Sequence, residues 1–108
     1  DCAGERRAAQ LVAAHRPLCA GPVTSIGYAE PSLIFLLGTD TKLAAEIPAP
    51  PESGCRLLLV EHRQLENAAS LEQLGKIEGF NYSKGDEVAL YLLRQPAAPL
   101  SVPETPSP

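Results

Sequence analysis

The stretch "CRLLLVEH", residues 55 to 62, is apolar without alternation from Leu57 to Val60. A strand solvated on one side alternates apolar with polar residues, whereas a strand covered on both faces has no polar side to show. This stretch is therefore expected at the centre of a sheet, beside parallel neighbours. Upstream, "PVTSIGY" at 22–28 is short and β-branched, and it feeds directly into "EPSLIFLLG" at 30–38. Pro31 suits the first helical position, where its missing N–H costs nothing, and Gly38 suits the position just past the last turn. The run Leu33 to Leu37 between them predicts a two-turn helix that is apolar all round and so covered on most sides. It is far shorter than the roughly 20 apolar residues of a membrane span.

Outward from this strand–turn–helix unit, residues 4–15 set Ala8, Leu11, Val12 and His15 at the spacing of one helical face, and Pro17 ends that helix. "TKLAAEI" after Gly38 reads as a short strand and "PAPPESG" as a loop, because clustered prolines cannot sustain a hydrogen-bonded ladder. "RQLENAASLEQLG", residues 63–75, spaces Leu65, Ala68, Leu71 and Leu74 as a helical stripe, with Gly75 as its stop. "KIEGFNY" and "EVALYLL" flank the turn "SKGD" and predict a hairpin. The order α-β-α-β-β-α-β-β implies a small α/β sandwich: a mixed sheet of about five strands with about three helices, residues 22–28 and 55–62 being parallel neighbours. Residues 1–95 form one domain on this reading, and the proline-rich tail 96–108 is expected to be disordered.

The chain has 108 residues, 44% of them hydrophobic, enough for a single core. It contains no Met and opens on Asp1, which predicts a piece of a longer chain. The net charge is −4 with scattered cations, so nucleic acid is not an expected partner. Cys2, Cys19 and Cys55 lack the paired spacing of a zinc site, and His15 and His62 do not complete one, so no metal is expected. There is no phosphate-binding glycine loop, and no cofactor is expected.

Two segments hold candidate binding residues. Tyr28, Glu30 and Ser32 follow the first strand at its carboxyl end, where open α/β sheets bind ligands; Glu30 and Ser32 serve equally well as caps for the helix they precede. Asn81, Tyr82 and Lys84 gather at the hairpin tip, with the chemistry to hydrogen-bond a sugar or lipid headgroup and equally the chemistry of a turn. Glu61 and His62 form an acid/base-capable pair, but as strand neighbours they are expected to face opposite ways. No nucleophile, base and orienting group are jointly marked, so no catalytic residue is assigned.

The segments "PVTSIGYAEPSLIFLLGTDTKLA", "GCRLLLVEH" and "IEGFNYSKGDEVALYLL" together resemble the C-terminal soluble region of bacterial membrane glycosyltransferases related to aminoarabinose transferase and the protein mannosyltransferases. Glu30-Pro31-Ser32 followed by an apolar helix ending "FLLG" is the most specific part, and Leu37 stands where many relatives carry tyrosine. The resemblance implies a polytopic inner-membrane enzyme of the GT-C type. Such an enzyme moves a sugar from a polyprenyl-phosphate carrier to a lipid acceptor, as in lipid A modification, or to a protein. Its catalytic groups would lie outside these residues. The present domain would then be monomeric, non-catalytic and periplasmic, with the transmembrane portion of the same chain as its partner and the lipid-linked sugar or acceptor lipid nearby. A free-standing periplasmic ligand-binding or protein-interaction module is the alternative. If residues 22–28 and 55–62 are adjacent parallel strands, Cys19 and Cys55 open them at the same edge, close enough for a disulfide. Three reduced cysteines packed as small apolar residues are the other reading.

Overall fold

The computed structural model describes residues 2–27, 31–38, 40–81 and 87–98. In chain order its elements are helix α1 (Cys2–His15), a 3-10 turn (Arg16–Leu18), strand β1 (Thr24–Ile26), helix α2 (Pro31–Leu37) and strand β2 (Lys42–Ala44). Strand β3 (Cys55–Glu61), a 3-10 helix (His62–Ala68), strand β4 (Glu72–Asn81) and strand β5 (Glu87–Pro96) follow. The strands form one five-stranded sheet in the order β2-β1-β3-β5-β4. β1 is parallel to both β2 and β3, while β5 runs antiparallel to β3 and β4.

The continuous apolar run has the position its composition demands. Leu57 and Leu59 of β3 bury against Ala8 and Val12 of α1 and Leu33 and Leu37 of α2. Leu58 and Val60 point the other way, into a smaller cluster with Ile26, Ala68 and Leu93. A helical layer thus covers one face of the sheet, and the 3-10 helix with the segment around Ile47 covers part of the other.

Three local expectations need correction. The stripe expected to form one helix over 63–75 is divided: Leu65, Ala68 and Leu71 pack into the smaller cluster, whereas Leu74 packs with α1 on the opposite face. One helix cannot serve both faces of a sheet. The helical segment is therefore the 3-10 stretch ending at Ala68, and by Glu72 the chain has become β4, paired with β5. Gly75 lies inside that strand at a register shift, and it is a contact point rather than a helix stop. A Cβ there would fall 2.7 Å from both Leu11 methyls, so its absence lets α1 approach the sheet.

Helix α2 is not covered all round: Leu33 and Leu37 are buried, but Phe35 is 79% and Leu36 43% exposed. Only the face that meets α1 and the sheet finds apolar partners. At the other end of the chain, β5 includes Pro96, and the N–H groups of Ala97 and Ala98 donate to Gly54 and Pro51 carbonyls. Ordered chain therefore continues past residue 95, and residues 99–108 of the expected tail lie outside the described set. No described helix is long and apolar enough to cross a membrane.

Candidate functional site

β1 leads through α2 to β2 on one side, and β3 lies on the other, so the connections leaving β1 and β3 diverge. In open α/β sheets the crevice at the carboxyl ends of such strands is the usual ligand position. Here it opens between Gly27 and Glu61. Gly27 directly follows β1 at φ +77°, a backbone conformation costly for other residues, and its N–H donates to Ala44 O at 3.2 Å. A Cβ on Gly27 would meet Gln64 Cγ at 3.2 Å and Glu61 Cβ at 3.6 Å, so the chain leaving β1 passes close against the end of β3.

Glu61 is the last residue of β3 and is only 2% exposed. Its Oε2 accepts the Arg63 backbone N–H at 3.2 Å, and Arg63 Nε donates to both carboxylate oxygens at 3.1 Å. His62 Nδ1 lies 2.9 Å from Oε1. The carboxylate thus caps the 3-10 helix that begins at His62. Because the chain turns immediately after Glu61, His62 comes back to the same carboxylate, and the expectation that the two face apart is overturned. Alternation holds only while the chain stays extended.

Chemically, the pair resembles a base oriented by an acid. A carboxylate holds one imidazole nitrogen while half of the His62 side chain remains accessible. A catalytic arrangement of this kind would need a nucleophile as its third part. The cavity of about 450 Å³ beside His62 is lined by Leu65, Glu66, Ala68, Leu71, Gln73 and their neighbours, with no hydroxyl or thiol among its lining residues. What the structure shows of the Glu61 carboxylate is its capping of the 3-10 helix. Among the described residues, no cluster of His, Cys, Asp or Glu is arranged to hold a metal.

Of the residues singled out from sequence, Tyr28, Glu30, Tyr82 and Lys84 lie outside the described residues. Ser32 occupies the second position of α2, and Asn81 is the final residue of β4, paired with Glu87. The flanks of the two segments nevertheless come to one end of the sheet. Gly27 is there, and since Glu61 pairs with Leu90, the Asn81–Glu87 pair extends beyond the end of β3 on that same side. Cys19 and Cys55 are brought together at the opposite end and joined by a disulfide, with Cα atoms 5.0 Å apart. Sequence reasoning missed the Glu61–His62 contact. Its only signal was an acidic residue two positions before an N–H that needs a cap.

No protein-family model, curated protein or solved structure matches this chain. The fold and the crevice define it as a small mixed α/β domain whose sheet end gathers polar and ionisable groups.

Proposed function

We propose that this chain is a non-catalytic domain, facing the periplasm, of a bacterial inner-membrane glycosyltransferase that moves a sugar from a polyprenyl-phosphate carrier to a lipid or protein acceptor. The observation that carries the reading is the outward face of α2. Helix α2, which begins at Pro31, has its buried side anchored by Leu33 and Leu37, and its last carbonyl, that of Leu37, accepts from the Arg16 guanidinium. The helix is thus firmly mounted and yet turns Phe35 and Leu36 to solvent. Exposed apolar groups on a fixed element suit contact with another surface, here the transmembrane portion of the same protein. The Cys19–Cys55 disulfide suits an oxidising compartment.

The test is Phe35→Asp in the full-length gene product. Because Phe35 contributes little to the domain's own core, the melting temperature of the 108-residue chain is expected to stay unchanged. Sugar transfer by membranes containing the full-length variant is expected to fall by about tenfold, the equivalent of about 1.4 kcal/mol. Unimpaired transfer by the variant overturns the reading, as does sugar transfer by the 108-residue chain alone.

A further inference from the structure

At the disulfide end, opposite the crevice, the face of the sheet that carries Ile26, Leu58 and Leu93 also carries a polar row. Lys42 pairs with Thr24, and Arg56 pairs with Gln95. Each stands two residues from a member of the smaller core cluster or a residue packed on it, so strand alternation puts all four on that face. Above them is a cavity of about 420 Å³, lined by Thr24, Lys42, Ser53 and Arg56 together with Pro22, Ala44, Pro48 and Pro51. That volume lies within the roughly 300–1,000 Å³ of small-molecule sites.

The wall of this cavity is held in place by the sheet. Arg56 Nη1 donates to Ala49 O at 3.0 Å and to Gln95 Oε1 at 3.2 Å, and Gln95 Nε2 donates to Pro48 O at 2.7 Å. The Ala98 N–H adds a bond to Pro51 O. With its position set by these neutral acceptors through Nη1, Arg56 retains further guanidinium donors. The ion pairs among the described residues involve Glu61, Glu72 and Glu78, and none reaches Arg56 or Lys42. Two cations, two hydroxyls and proline-rich walls therefore line one preformed hollow with no anion supplied by the described chain.

We propose that this cavity binds an oxyanion carried on an apolar body, of the chemical class of an alkyl phosphate monoester. The guanidinium, the Lys42 ammonium and the Thr24 and Ser53 hydroxyls take the charged head, since charge-assisted bonds are the strongest available here. The proline and alanine walls take the apolar body. This site uses the opposite end of the sheet from the crevice and stands independently of the membrane reading.

The experiment titrates the isotope-labelled 108-residue chain with hexyl phosphate, hexanol and inorganic phosphate, following backbone amides by NMR. Hexyl phosphate is expected to shift Thr24, Lys42, Ser53 and Arg56 saturably, with a Kd at least tenfold below that of either control. Lys42→Gln, which leaves the bonds of Arg56 to the wall in place, is expected to weaken binding by about tenfold, and Arg56→Gln by at least as much. Should Arg56→Gln melt early because the wall is released, Lys42→Gln and Thr24→Val decide the matter alone. Equal affinity for hexanol makes the cavity a plain apolar hollow and overturns the proposal. Equal affinity for inorganic phosphate, shifts confined to other surfaces, or binding indifferent to Lys42→Gln overturn it too.

Discussion

Glu61 combines deep burial with donors that are themselves wet: its side chain is 3% exposed, while those of Arg63 and His62 are 72% and 48% exposed. Solvent screens the Arg63 guanidinium, so its charge contributes little to stability. The Arg63 backbone N–H is different, because it is an orphan donor at the start of the 3-10 helix and the carboxylate is its acceptor. Replacing Glu61 by Ala is expected to destabilise the domain by about 1–2 kcal/mol, the usual cost of a lost cap. Glu61→Gln keeps an amide oxygen for the same N–H and is expected to cost less than half as much. Urea denaturation of both variants checks this. Equal losses would assign the effect to charge rather than to the cap.

At the scale of elements, what could be read in the sequence depended on whether a segment meets one environment or two. β3 was legible because both its faces are buried, leaving an uninterrupted apolar run, and the hairpin of β4 and β5 was legible because its turn residues are explicit. Residues 63–75 were not, because their leucines divide between opposite faces of the sheet and only by coincidence keep helical spacing. The role of Gly75 depends on Leu11, which is distant in sequence, and no local pattern announces that contact. The candidate crevice was legible as far as the strand end that carries Gly27, whereas the turn that folds His62 onto Glu61 was hidden by the strand-like run before it. In α2 a uniformly apolar composition concealed which side is covered. That division predicts a sharp contrast. Leu33→Ala removes a fully buried side chain and is expected to cost about 2–5 kcal/mol. Phe35→Ala, at a largely exposed position, is expected to fall within about 0.5 kcal/mol of the parent. Thermal melts of the two variants measure the contrast, and comparable losses would mean that α2 packs through the other face.

For the whole molecule, the disulfide acts on the topology that is hardest to assemble. Cys19 precedes β1 and Cys55 opens β3, and the 36-residue separation between them contains β1, α2, β2 and the proline-rich loop. The parallel pairing of β1 with β3 needs the ends of that long segment to meet before any ladder bond rewards the closure. A covalent link makes the meeting permanent and removes the most extended conformations from the unfolded ensemble. The chain-entropy model values a loop of this size at roughly 3–4 kcal/mol. Small domains are stable by only about 5–15 kcal/mol in total, so the loss would be a large share of the whole. The double variant Cys19→Ser/Cys55→Ser is therefore expected to lose about 3 kcal/mol in urea, with a larger m-value because its unfolded chain expands further. Reductant added to the parent chain should reproduce both changes, since it breaks the same link without altering either residue. If instead the parent's denaturation midpoint is indifferent to reductant while the serine variant is weakened, the loss belongs to the packing of Cys19 in the core, and the entropic account of the disulfide fails.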